Sequence, residues 1–211
     1  MSTVRIPRNS IAALFMALLF AWVDASATSV RETSVAEMTN QSAVIFEGVV
    51  VAVRAHKSGR GSIVTDVVFE VLDVIKGSVP QPRLTLEFLG GEIQGAHQSI
   101  AAMNYPQLGE KGIYFAEAID RPLINPLYGW DQGRFLLRKD HGGVERVLTA
   151  GQHPVLDVQG SASTFFDTPR AAAQPSTGVA NGVRATAAAV DAGLSAGQFK
   201  QRIRNLLGVA P

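Results

Sequence analysis

The sequence predicts a mainly β fold: a small antiparallel OB-like barrel of five to six strands, with a short N-terminal helix and a C-terminal helix after a flexible linker. Three observations predict it. Residues 44–77 contain two long runs rich in Val, Ile and Phe, joined by the polar, glycine-bearing segment 54–62. Such residues fit a pleated surface. In the second run Ile63, Thr65, Val67, Phe69, Val71, Asp73 and Ile75 alternate with Val64, Asp66, Val68, Glu70, Leu72, Val74 and Lys76. Alternation of period two puts the more apolar odd set on a core face. Gly48 interrupts the first run, and a glycine within a strand marks a bulge or bend of the kind a closing barrel needs.

The chain opens with a different signal. Arg5 and Arg8 precede the apolar run 11–23, and Ala25, Ser26 and Ala27 have the small-x-small form of a signal-peptidase site. This is the pattern of a secretory signal, and the run is shorter than the roughly 20 residues a membrane span needs. Residues 1–27 are therefore expected to be removed before Thr28, leaving a periplasmic or extracellular protein with no membrane attachment. No cysteine follows, or occurs anywhere. Thiol catalysis, cysteine metal sites and disulfide bridges are excluded, so stability rests on packing.

The formal charge of the whole chain is +1, and removing the signal leaves equal numbers of acidic and basic residues. A neutral chain has no net pull toward nucleic acid, and no nucleic-acid partner is expected. Residues 28–159 are expected to form the β-barrel domain. Within it, 30–42 can form a short helix with Val35 and Met38 on one face. Residues 83–89 alternate as a third strand, ended by Gly90 and Gly91. Residues 93–110 read as an irregular loop, 113–116 as a short buried strand, and 120–131 as a second loop. Residues 133–148 form a second hairpin around the turn 140–143. Residues 160–193 are dominated by Ala, Gly, Ser, Thr and Pro and read as a linker. Residues 194–208 form an amphipathic helix. Ser195 and Gln198 are its capping box, Leu194 and Phe199 its staple, and Gly208 its stop. The stripe Phe199, Ile203 and Leu206 or Leu207 is suited to dock on the barrel or on a partner.

Four segments together resemble a group of uncharacterised secreted bacterial proteins. They are SAVIFEGVVVAV, IVTDVVFEVLDVIKG, LGGE, and GEKGIYF followed by DQGRFLL, and they span residues 42–137. In layout the expected barrel also resembles the netrin-like domain, the OB-type barrel of tissue inhibitors of metalloproteinases. Those inhibitors place an N-terminal cysteine on zinc, which has no counterpart here.

Signals for chemistry are sparse. His56 and His97 have no His, Asp or Glu three or four residues away, and Glu145 and Asp157, four residues after His141 and His153, fall in stretches not read as helix, so no metal site is expected. His56 and His141 fall in expected turns. His97, in the irregular loop, is the histidine best placed for a role. Residues 193–197 (GLSAG) spell Gly-x-Ser-x-Gly, but Ser195 is read there as a helix N-cap following a linker and not as a turn between a strand and a helix; the glycines around Ser58 and Arg60 lack the Gly-Lys-Ser/Thr ending of a phosphate loop. Asp66 and Glu70 share a strand face, but roughly 13 Å between their Cα atoms is too far for a glycosidase pair. No catalytic residue and no cofactor are expected. Tyr105, Tyr128 and Trp130 are loop aromatics that, with Gly129 and Gly133 nearby, can form a binding rim or plug the barrel end, and His97 is counted with them as a binding candidate. The reading is an exported, non-catalytic binding module for a protein or peptide ligand. A hydrolase with scattered residues, or a small-molecule or oligosaccharide binder, are the alternatives. The intact mass of protein recovered from the periplasm or the medium is expected to begin at Thr28; a mass retaining residues 1–27 would refute the assignment.

Overall fold

The computed structural model describes residues 30–160 and 178–208. The expected signal segment 1–27 and residues 161–177 of the expected linker lie outside the described residues.

The first element is helix α1, Val35–Gln41, within the expected region. The Ser34 hydroxyl accepts from the Glu37 amide at 3.0 Å, which satisfies one of the free donors at a helix start. At the other end Lys76 Nζ donates to the Thr39 and Asn40 carbonyls at 2.8 and 2.6 Å, a cationic cap on the helix C-terminus.

Six strands follow in one antiparallel sheet: β1 Val44–Lys57, β2 Ile63–Lys76, β3 Arg83–Leu89, β6 Lys111–Ala116, β7 Arg134–Lys139 and β8 Glu145–Thr149. Their spatial order is β3-β2-β1-β6-β7-β8. The strands read from alternation are therefore present, but the barrel is not. The sheet is open, with β3 and β8 at its edges. Closure would need those two edges to pair with each other. Instead each meets other chain. At the β3 edge the Leu89 amide donates to the Ile124 carbonyl at 2.9 Å. At the β8 edge the Val147 amide donates to the Leu194 carbonyl at 2.9 Å. Both partners are irregular segments, whose apolar patterns give no sign in the sequence that they will cover a strand.

Two further pairs were not expected. β4 Gly91–Ile93 and β5 Ala96–Gln98 make a hairpin inside the region read as loop. Its turn residues Gln94 and Gly95 both have positive φ, 50° and 80°, as a tight hairpin turn requires. Glutamine at the first of these positions hides the turn. β9 Val155–Val158 pairs with β10 Val183–Ala185, so part of the expected linker is a strand. Residues 178–193 are docked: Ala180 is buried, and the Asn181 amide donates to the Thr33 carbonyl at 2.8 Å.

The sheet carries a core on each face. On one lie Phe46, Val50, Val67, Phe69, Leu86, Phe88 and Tyr114. Phe69 is fully buried, edge-on to Phe46 at 5.3 Å and to Tyr114 at 4.6 Å between ring centroids. Gly48 lies at a shift in the β1–β2 register, where an added Cβ would sit 2.9 Å from the Glu70 carbonyl oxygen and 3.1 Å from the Phe46 ring. The bend expected at this glycine is thus also a close approach. On the other face Ile45, Ile113, Phe115, Phe135 and Val147 pack against α1, β9 and the terminal helix α2, Ala196–Leu206. The Ser195–Gln198 capping box forms, and Phe199 and Ile203 are fully buried. The apolar stripe of α2 therefore docks on its own domain.

Charge fixes that docking. Glu47 on β1 is only 6 % exposed. Lys200 Nζ on α2 donates to it at 2.8 Å and to Asp73 at 2.9 Å, and Lys111 lies 3.1 Å away. Burial alone would raise the Glu47 pKa, but the hydrogen bonds from Lys200 and Lys111 outweigh it and hold the carboxyl below its ordinary range. Asp73 is held low chiefly by its hydrogen bond from Lys200.

Two expectations follow from this packing. Phe69→Ala should cost on the order of 3–4 kcal/mol in a denaturant titration, as a large-to-small core change. Glu70→Ala, on the exposed side, should cost about 0.5 kcal/mol or less. Carboxyls held low in the folded state stabilise it above the unfolded pKa of about 4 and lose that contribution as pH falls through the folded value. Without Lys200, burial of Glu47 is opposed by Lys111 alone. Acid unfolding of Lys200→Met, followed by circular dichroism, should therefore begin at a higher pH than in the wild type.

Candidate functional site

The turn 127–133 builds one candidate surface. Tyr128 follows the last bridge from β6: its amide donates to the Phe115 carbonyl at 2.8 Å. Gly129 and Trp130 then both take positive φ, 64° and 62°. Glycine tolerates this conformation, but for tryptophan it is strained. The strain is held by Gln132, whose side chain is almost fully buried. Its oxygen accepts from the Thr33 amide at 2.9 Å, and its Nε2 donates to the Arg31 and Gly129 carbonyls at 2.9 and 3.1 Å. The result is a cleft of about 340 Å³ lined by Val30, Arg31, Thr33, Glu117, Tyr128 and Trp130.

The cleft is polar at one side and aromatic at the other. Tyr128 Oη donates to Glu37 at 2.8 Å, and Arg31 pairs with the same carboxylate. Burial is the largest influence on Tyr128 and raises its pKa, reinforced by the Glu37 hydrogen bond, so the hydroxyl is a neutral donor. For Glu37 burial acts upward, but the hydrogen bonds from Tyr128 and Arg31 outweigh it and keep the carboxyl ionised below its usual range.

Tyr105 is not part of this cleft. It packs edge-on against Phe88 at 5.9 Å and its hydroxyl donates to the Leu89 carbonyl at 3.0 Å, which makes it mainly a plug over the core that holds Phe46, Phe69 and Phe88. It also borders a separate cleft of about 460 Å³ with Asn104, Asp131 and Arg134. Arg134 there is a buried structural cation. Its Nε donates to Glu110 at 2.8 Å, Nη2 bonds the second oxygen of the same carboxylate, and Tyr114 Oη donates to Glu110 at 3.0 Å. A bidentate pair of this kind fixes geometry as well as charge. Burial, seconded by the Glu110 charge, pushes the Tyr114 hydroxyl well above its ordinary pKa. His97 stands exposed on β5, opposite Glu92. The four candidate binding residues are thus divided: Tyr128 and Trp130 share a cleft, Tyr105 packs on a core, and His97 lies on the separate hairpin.

A cluster that the sequence reading passed over lies across β1, β2 and β3. His56, Asp66 and Glu87 each offer one donor atom, and these atoms lie within 4.8 Å of one another. The β2–β3 register sets Asp66 directly opposite Glu87, and the β1–β2 register sets His56 opposite Val64, two residues from Asp66 on the same face. His56 Nδ1 is 3.6 Å from Asp66 Oδ2. Alternation does place Asp66 on the mixed face of its strand and Glu87 on the polar face of its own. The reading of His56 as a turn residue hid the third member: β1 runs on through Lys57.

No family model, curated protein or solved structure matches the chain. The resemblance to secreted bacterial proteins and to netrin-like, OB-type barrels is therefore corrected on two grounds: nothing in the comparisons supports it, and the sheet does not close. Among the described residues no helix is long and apolar enough to cross a membrane.

Proposed function

We propose that the protein is an exported, non-catalytic binding module that takes a protein or peptide ligand at the Tyr128–Trp130 cleft. The observation that carries this reading is the backbone of Trp130. A bulky aromatic at φ 62° costs on the order of 1–3 kcal/mol, and such strain concentrates at ligand-contacting positions. Here three hydrogen bonds of one buried glutamine hold a partly exposed indole at the mouth of a cleft. Tryptophan and tyrosine combine large apolar area with a polar handle, which suits them to anchor a partner. Arg31 and Glu117 on the rim offer one charge of each sign to a peptide's polar groups. The secretory signal read from residues 1–27 sets the compartment in which such a ligand is sought.

Trp130→Gly is the discriminating variant. Glycine relieves the backbone strain, so the melting temperature should stay within a few degrees of wild type or rise. Capture of a partner from periplasmic extract, read by co-purification and mass spectrometry, should be lost. Unchanged capture would remove Trp130 from the site, and a large loss of stability would show that the indole serves packing instead.

A further inference from the structure

We propose that His56, Asp66 and Glu87 form a binding site for a first-row divalent cation, Zn²⁺ being the representative ion. The three side chains come from three adjacent strands and share one face of the sheet. Strands lie about 4.8 Å apart, so Asp66 and Glu87 directly opposite, with His56 on the diagonal, bring donors to the span of one ion without any loop having to fold over it. On a tetrahedral Zn²⁺ with bonds of about 2.0 Å, two donors stand about 3.3 Å apart. His56 and Asp66 are at 3.6 Å already, and all three donors are within 4.8 Å, so small rotations about side-chain bonds complete the set.

The electrostatics point the same way. Two carboxylates directly opposite on neighbouring antiparallel strands repel each other. Yet among the described residues neither Asp66 nor Glu87 forms an ion pair with a lysine or arginine. Arg54, directly opposite Asp66 on β1, makes no such pair either. A divalent cation bound by both carboxylates removes the repulsion. Imidazole selects for zinc and its first-row neighbours over magnesium and calcium, which favour all-oxygen sets.

The site also has room for what a cation with three protein ligands requires, an open coordination position. His56 and Glu87 border a cleft of about 690 Å³ that Val64 and Leu89 line, with Lys57 and Arg60 at its rim. The side chains of His56 and Asp66 are 45 % and 32 % exposed, so an ion can reach them from solution. A water, or an anionic group of a ligand drawn by Lys57 and Arg60, fits the vacant position. This site is independent of the Tyr128–Trp130 cleft.

The test uses the purified exported chain after dialysis against chelator. Titration calorimetry with Zn²⁺ should show one site per chain, and Zn²⁺ should raise the melting temperature. His56→Gln and Glu87→Gln should each weaken binding at least tenfold, while His141→Gln leaves it unchanged. Glu87→Gln removes one of two opposed charges, so its metal-free melting temperature should equal or exceed that of wild type; this separates loss of a ligand from loss of fold. Absence of a stoichiometric site in the wild type would overturn the proposal. So would zinc binding that is indifferent to His56→Gln and Glu87→Gln, which would assign it to other histidines.

Discussion

The first half of β1 is buried on both faces, and the rest of the domain depends on that double burial. Ile45 faces one core, and Val44, Phe46 and Val50 face the other. A strand in this position cannot be exposed without opening both cores at once. It also cannot carry a charge without a partner on the spot, and Glu47 lies in this stretch. A buried carboxylate is costly unless paired and hydrogen-bonded. Lys111 on β6 and Lys200 on α2 supply the partners, so the last helix of the chain is tied to the first strand by a requirement of charge as well as by Phe199 and Ile203.

The open edges of the sheet are managed by the same economy of short segments. Leu194 does this at β8: its carbonyl accepts from Val147, and its amide donates to the Val155 carbonyl at 2.7 Å. A docked loop blunts an edge as effectively as another strand, since what matters is that the row of free amides and carbonyls is unavailable to a second chain. Both candidate surfaces lie near where these covering segments leave the sheet. The chain reaches Trp130 just after the bridge of Ala116 with Leu127, and the large cleft beside His56 is walled by Pro122, Leu123 and Ile124.

The strained turn and the carboxylate pair illustrate one principle from two sides. Local features that cost stability persist where the surroundings over-determine them, as Gln132 does for Trp130. Among the described residues Asp66 and Glu87 form no ion pair with a lysine or arginine, only the His56 contact at 3.6 Å, and the proposed ion would supply the compensating charge.

Much of the local structure was determined by sequence alone. The alternation of residues 63–75 put Phe69 inside and Glu70 outside, and Ser195, Gln198 and Phe199 specified a capped helix with one apolar stripe. These are properties of neighbours within a turn or a strand, so they are written in short spacings. That the sheet stays open, the hairpin hidden behind Gln94, and the docking of 178–193 were decided by tertiary contacts. So was the division of Tyr105 from Tyr128 and Trp130. The meeting of His56, Asp66 and Glu87 depended on strand register, which shifts at three points along β1 and so is not a function of residue spacing. Alternation fixes the face on which a side chain stands; only the pairing of strands fixes which side chain of another strand stands beside it.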